Sequence, residues 1–377
     1  MKMSYFRILS PLLVVFSAQS LADNWEQSRN EGHASVAIQS IDNLFNSDQK
    51  TSATKASIGA SYDWLGLYEG FGIHTPFSFK QHQYSGQPTL DYQQWQVEPA
   101  ARLFLSSSAD VTVYGSWSRD EFLAGEEQAE FFDDGQQVQW RSRKVGATLQ
   151  LGHAPETQNL SLDIAAIRVG QWVNNLQINQ HSSNKALVEY SLRFSENARA
   201  LVSGEFRDEE IRTSHSKLVE VGLGVLYRWT SNQQLKFVAG ASRRDIPSSE
   251  EQTGQFWQFD NQWQLSQQWA VTLGSSRHSV LAQQNQAISQ LNTQHRFLLG
   301  YQPWQQHQLQ FGVTHSTLEL EQSQRRRQTL QWQAAWRWSI TDDWSLFSQY
   351  RYRSLDQDAN EQAIVQNVAA LNLEWQW

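Results

Sequence analysis

The chain has 377 residues, a formal charge of -8 at neutral pH and no cysteine, and it carries 17 Trp, 11 Tyr and 18 Phe in a composition of mean hydropathy -0.59. The missing cysteines exclude disulfides, thiolate chemistry and a lipidated N-terminal cysteine, and the acidic balance argues against nucleic acid as a partner. The polar average excludes neither a soluble β-domain nor a membrane barrel, because only alternate residues of a barrel strand meet lipid.

Residues 1–22 read as a secretory signal: Lys2 and Arg7 supply positive charge, Ile8 to Phe16 an apolar stretch, and Ser20-Leu21-Ala22 a small-x-small site. Cleavage between Ala22 and Asp23 would leave residues 23–377 as a single domain of charge about -10. Nothing after Asp23 approaches the roughly 20 continuous apolar residues of a spanning helix. A membrane role must therefore come from strands.

Period-two alternation dominates the mature chain, the pattern of a strand with one apolar and one polar face. It is clearest at Ala56, Ile58, Ala60, Tyr62, Trp64; at Val219, Val221, Leu223, Val225, Tyr227, Trp229; and at Leu330, Trp332, Ala334, Trp336, Trp338, Ile340. Each set is about ten residues long, enough to cross a bilayer when tilted. The last set, Val365 to Trp377 on odd numbers, ends on the carboxyl terminus. Counting from His33 gives about eighteen such runs, with sixteen the alternative.

The connections between runs alternate in length. Short ones are expected at Leu65-Gly66, Ser106 to Ser108, His153 to Gln158, Ser195 to Ala198, Thr230 to Gln233, Ser266 to Gln268, Pro303 to His307 and Thr341 to Asp343. Long ones include Asp42 to Ala53, Arg119 to Gln137, Gly170 to Asn184, Asp208 to Ser216 and Arg243 to Gln255. That alternation predicts a transmembrane antiparallel up-and-down β-barrel with periplasmic turns, extracellular loops and both termini periplasmic. Trp64, Trp229, Trp263, Trp269, Trp304, Trp338, Trp344, Trp375 and Trp377 fall beside the short connections or the C-terminus, and Trp95, Trp117, Trp140, Trp257 and Trp332 nearer the long ones. Two aromatic girdles have that distribution.

If the apolar phase faces lipid, the other phase lines the lumen with Glu189, Arg193, Glu205, Arg207, Glu220, Arg228, Lys236, Asp260, Arg296, Arg337, Arg351, Arg353 and Glu374. Turning Arg337 to lipid would cost roughly 2 to 4 kcal/mol at the midplane. Sixteen to eighteen strands enclose water, so a hydrated channel is expected, lined by both charge signs and many amides rather than a one-signed selectivity ring. The acidic stretch Arg119 to Gln137, with Glu121, Glu126, Glu127, Glu130, Asp133 and Asp134, reads as a solvated loop, with an inward constriction the alternative, and Arg325-Arg326-Arg327 as a solvated charge run that could otherwise meet anionic lipopolysaccharide or an acidic polymer. Gly70-Phe71-Gly72 and Gly222-Leu223-Gly224 read as strand glycines that relieve crowding in the lumen. No zinc, nucleotide or nucleophile-elbow motif occurs, so no cofactor, no metal and no enzymatic activity are expected.

The opening of the mature chain, a short strand followed by Ile41-Asp42-Asn43-Leu44-Phe45-Asn46-Ser47 and a second strand Thr54 to Trp64, resembles the β-barrel porin 2 family. Its members are outer-membrane barrels of Gram-negative bacteria that often accompany exopolysaccharide or capsule genes. The resemblance implies export of a polysaccharide and partners among the export and synthesis components. The terminal Leu373, Trp375, Trp377 pattern looks like the signal by which the barrel assembly machinery recognises its clients. From the residues alone, a general or solute-specific diffusion porin and a structural or adhesive barrel with a closed lumen stand as alternatives.

Overall fold

Hydrocarbon offers no partner to a backbone N–H or C=O, so a chain that crosses lipid with strands must pair every edge and close into a cylinder. The computed structural model describes residues 25, 28–44, 51–123, 137–152, 157–173, 176–211, 214–230, 232–247, 251–281, 289–320, 326–357 and 363–377. Nineteen strands cover them: β1 (Arg29–Ile41), β2 (Ala53–Tyr68), β3 (Phe71–Tyr84), β4 (Tyr92–Val97), β5 (Ala100–Ser106), β6 (Ala109–Leu123), β7 (Gln137–Leu151), β8 (Gln158–Val173), β9 (Leu176–Arg193) and β10 (Ala198–Ile211). They continue as β11 (Ser214–Thr230), β12 (Gln233–Asp245), β13 (Gln252–Gln264), β14 (Trp269–Leu281), β15 (Ser289–Trp304), β16 (His307–Leu320), β17 (Arg326–Ser339), β18 (Trp344–Gln357) and β19 (Ile364–Gln376).

Strands β4 and β5 are two halves of one span, each pairing with β3 on one side and β6 on the other. Pro99 separates them because it has no N–H to give the ladder. The barrel therefore has eighteen antiparallel spans, the larger of the two expected counts, and it closes where β1 pairs with β19 from His33↔Gln376 to Ile41↔Val368.

The seam is fastened at both ends. At one, Gly32 and Trp377 exchange backbone hydrogen bonds of 3.1 and 3.0 Å. A Cβ on Gly32 would lie 2.2 Å from the Trp377 indole, so the missing side chain lets the ring lie flat on the wall. At the other, the Asp42 carboxylate accepts from the Asn367 backbone N–H (2.5 Å) and its Nδ2 (2.6 Å), and Asn43 Nδ2 donates to the Val365 carbonyl at 3.2 Å. The Asp42-Asn43 element that carries the family resemblance thus clamps the first connection onto the last strand.

Register fixes the phase. The expected apolar residues point outward and are exposed or half-exposed, among them Ile58 at 65%, Val113 at 57% and Leu223 at 67%, while most buried residues fall on the inward phase. Outward aromatic rings pair beside the short turns: Trp344 stacks with Trp375 at 6.0 Å, Trp336 with Trp338 at 6.2 Å and Trp269 with Tyr301 at 4.1 Å, and Trp375 and Trp377 are tilted against each other at 4.8 Å. Trp140 departs from its expected place. It sits opposite Asp120 in the ladder and shares the phase of Lys144 and Thr148, so it faces the barrel axis.

Three expected connections also move. Strand β2 runs through Leu65-Gly66, with Leu65 buried inside and Gly66 leaving room for the Trp64 and Tyr68 rings outside; the turn is Glu69-Gly70, where Gly70 adopts φ 83°. Gly70 is therefore a turn residue rather than a strand glycine. The stretches Gly170 to Asn184 and Asp208 to Ser216 are mostly ladder, since β8 reaches Val173 before β9 starts at Leu176, and β10 reaches Ile211 before β11 starts at Ser214. Above the lipid a hairpin keeps its backbone pairing without apolar side chains, so alternation fades before the strand does. The signal with Ala22 and Asp23, the acids Glu126, Glu127, Glu130, Asp133 and Asp134, and Arg325 lie outside the described residues.

The lipid-facing phase predicts that Leu223→Arg lowers the unfolding free energy by roughly 2 to 4 kcal/mol, because it puts a guanidinium near the bilayer centre. The inward Ser276→Arg should change it by less than about 1 kcal/mol. Urea titrations of liposome-embedded protein, followed by tryptophan fluorescence, distinguish the two.

Candidate functional site: the inner wall

All the expected lumen residues, Glu374 included, lie on the inward phase by register. The structure brings some together. Lys236 Nζ meets both Glu189 carboxylate oxygens at 3.1 Å, spanning β10 and β11 to do so. Glu205 lies between Lys185, at 3.2 Å, and Arg207, whose Nε it accepts. Arg337 Nη1 is 3.0 Å from Glu374 Oε2, which also accepts from Ser345 Oγ at 3.2 Å.

The others are dispersed. Arg193 Nε donates to the Ser195 carbonyl at a short turn (3.2 Å), and Arg228 is exposed near the same rim. Asp260 accepts from Gln258 Nε2 at 2.7 Å, while the exposed Arg296 lies across Gly274 from it. Glu220 is 3% exposed and 3.9 Å from His278 Nδ1. Arg351 and Arg353 stand side by side on β18 opposite Gln333 and Gln331, and Arg353 is buried.

Several residues central to the inner wall escaped sequence reasoning. Arg244, 2% exposed, donates through Nη1 to Glu209 (2.7 Å) and Ser216 Oγ (2.8 Å), and through Nε to Ser279 Oγ at 3.2 Å. Their phase matches that of Lys236 and Glu205, but both lie in stretches read as long loops. Arg102 pairs with Asp110 at 2.7 Å; nearby, Asp163 Oδ1 accepts from the Tyr114 hydroxyl at 2.7 Å and from Thr148 Oγ1 at 2.8 Å. Trp25 is buried against the inner wall, its ring occupying the space a Gly72 side chain would take, 5.9 Å from the His74 ring and 6.0 Å from the Arg102 guanidinium. Asp63 holds that corner with His74 at 2.5 Å and Arg29 at 3.0 Å.

The wall is therefore not uniformly wet. Leu201, Val238 and Phe256 form an apolar cluster facing the axis. Gly222 and Gly240 leave space for it, since a Cβ there would lie 2.7 and 2.6 Å from the Phe256 ring. The expected role of Gly222 in relieving crowding follows from that contact.

Comparisons with known proteins agree on the architecture. The fold is similar to that of OccK2 (OpdF) of Pseudomonas aeruginosa, with a TM-score of 0.52 and 10% identity over 92% of this chain and 98% of that one. It is similar to the outer membrane protein OpdK of the same organism, with a TM-score of 0.53 and 10% identity over 93% and 99% of the two chains. The FrpB iron transporter of Neisseria meningitidis (F3-3 variant) matches at a TM-score of 0.52 and 8% identity over 90% of this chain, which spans only 64% of FrpB. No protein-family model and no curated protein matches the chain. At such identities the likeness is one of fold, and the fold is that of outer-membrane β-barrels.

The Arg244 cluster yields a stability prediction. Glu209→Ala leaves a guanidinium buried without its carboxylate and should cost about 3 to 5 kcal/mol, whereas replacing the pair together as Arg244→Met with Glu209→Leu should recover most of that. Unfolding midpoints of the three proteins in detergent measure both effects.

Proposed function

We propose that the protein is an outer-membrane diffusion channel for small hydrophilic solutes, not an enzyme. The observation that carries this reading is the closed barrel of eighteen spans whose inward phase holds interleaved charges of both signs with amides and hydroxyls. A cylinder of that size encloses water, and mixed charge lets solutes pass without a one-signed filter. The likeness to OpdK and OccK2 runs over nearly the whole length of both chains and fits a barrel of this kind.

Among the inward charges Arg228 and Arg296 are exposed, whereas Glu189, Glu205 and Glu374 are paired, so a permeating ion meets cations first. In planar bilayers the purified barrel should conduct with weak anion preference. Arg296→Glu with Arg228→Glu should move the zero-current potential under a salt gradient toward cations. A folded barrel that carries no current overturns the proposal and favours an adhesive or structural role.

Export of an exopolysaccharide is the second reading, supported by the family-like Asp42-Asn43 element. Its clamp onto Asn367 and Val365 gives that element a structural role in any such barrel, so it weighs little on cargo. Deleting the gene should leave surface polymer unchanged if the diffusion reading holds, and should abolish it while synthesis continues if export is the function.

A further inference from the structure

The outward face of β6–β8 carries a cationic patch at the loop-side edge of the apolar band. Below it the wall is hydrocarbon-like, with Val113, Val145 and Ile164 exposed at 57%, 51% and 51%. Immediately above, Arg143 lies directly opposite Arg168 in the β7–β8 ladder and opposite Trp117 in the β6–β7 ladder; one step further up, Arg141 faces Arg119 and Gly170. Arg141, Arg143 and Arg168 are exposed.

Like charges directly opposite destabilise a ladder unless something anionic lies between them. Arg119 has such a partner in Glu121 at 2.7 Å, whereas no carboxylate lies within ion-pair distance of Arg141, Arg143 or Arg168 among the described residues. Elsewhere on this edge several outward charges are matched, Asp208 with His215 at 2.5 Å, Arg243 with Glu251 at 2.6 Å and Arg326 with Glu319 at 3.7 Å, and Arg277 lies over the Trp257 ring at 5.4 Å. Two indoles mark the interface height. Trp117 lies flat over Gly115, and Trp172 lies flat over Gly170 with the Arg141 guanidinium 4.8 Å from its ring. Tryptophan settles at headgroup level, so these arginines meet headgroups rather than acyl chains or bulk water.

We propose that this patch binds the phosphates of an anionic glycolipid of the outer leaflet. Arginine offers two parallel donors to phosphate oxygens, and a phosphate between Arg143 and Arg168 turns their repulsion into a bridge. The apolar face below would hold the acyl chains of the same molecule. The site depends on the outer-membrane placement of the barrel and not on its conducting solutes.

The test uses the full-length folded protein, delipidated in mild detergent and titrated by native mass spectrometry with three probes: phosphorylated lipopolysaccharide, the same glycolipid dephosphorylated, and phosphatidylglycerol. The wild type should bind the phosphorylated glycolipid about tenfold or more tightly than either other probe. The combined Arg141→Gln, Arg143→Gln and Arg168→Gln variant should lose that margin, while Lys217→Gln with Arg243→Gln on another part of the edge should keep it. Heat-modifiable migration on gels verifies that each variant is folded, and conductance is read separately. Equal binding by the triple variant, indifference to the phosphates, equal retention of phosphatidylglycerol, or no binding by the wild type because acidic residues of the 124–136 connection already occupy the arginines would each overturn the proposal.

Discussion

The structure depends on one seam. Seventeen of the interstrand ladders of an eighteen-span barrel join neighbours in sequence, but the pairing of β1 with β19 joins the two ends of the chain, and without it two edges of backbone donors and acceptors would face hydrocarbon. The residues at the seam suit that task. Gly32 admits the Trp377 indole at the turn end, and Asp42 caps Asn367 at the loop end, so neither end can fray without exposing polar backbone. Ordering contacts between residues this far apart is slow and entropically costly.

Closure also decides what each face can contain. Once the register of one ladder is set, period two assigns every side chain of the barrel to lipid or to the axis, and a slip by one residue would reverse them all. The two faces use glycine differently as a result. On the outside Gly115 and Gly170 let tryptophan rings lie flat on the wall, whereas on the inside Gly222 and Gly240 accommodate Phe256 in a crowded apolar cluster. The buried pair of Arg244 and Glu209 is the inner wall's counterpart: Ser216 and Ser279 join it in pairing the guanidinium Nη1 and Nε away from water.

Most of the architecture was legible because alternation is a direct imprint of the bilayer on sequence. It failed where the bilayer ends. The hairpins β8–β9 and β10–β11 continue beyond the lipid, where pairing persists without apolar side chains, so alternation alone reads them as loops and leaves Glu209, like Arg244 at the far end of β12, off the candidate wall. Leu65-Gly66 imitated a turn because glycine marks both turns and close approaches, and only the outward Trp64 and Tyr68 rings show which applies. Trp140 has the height of the girdle, but its phase directs it inward. Trp25 was out of reach, since it precedes the first alternating run and its partners Gly72, His74 and Arg102 come from two later strands.

A list of lumen residues therefore overstates the charge that a solute would meet. Glu189, Glu205 and Glu374 are each held by a cation, Glu220 and Arg353 are buried, and Arg193 is turned to a backbone carbonyl, so much of the inward charge is already satisfied within the wall. Arg228 and Arg296 remain exposed. The formal charge of the chain is negative, yet the field along the axis is set by these few exposed groups, because paired charges cancel within a few ångströms and screening removes distant ones. Net charge thus governs how the barrel repels or attracts at long range, while in a conducting barrel local pairing would govern which ions pass.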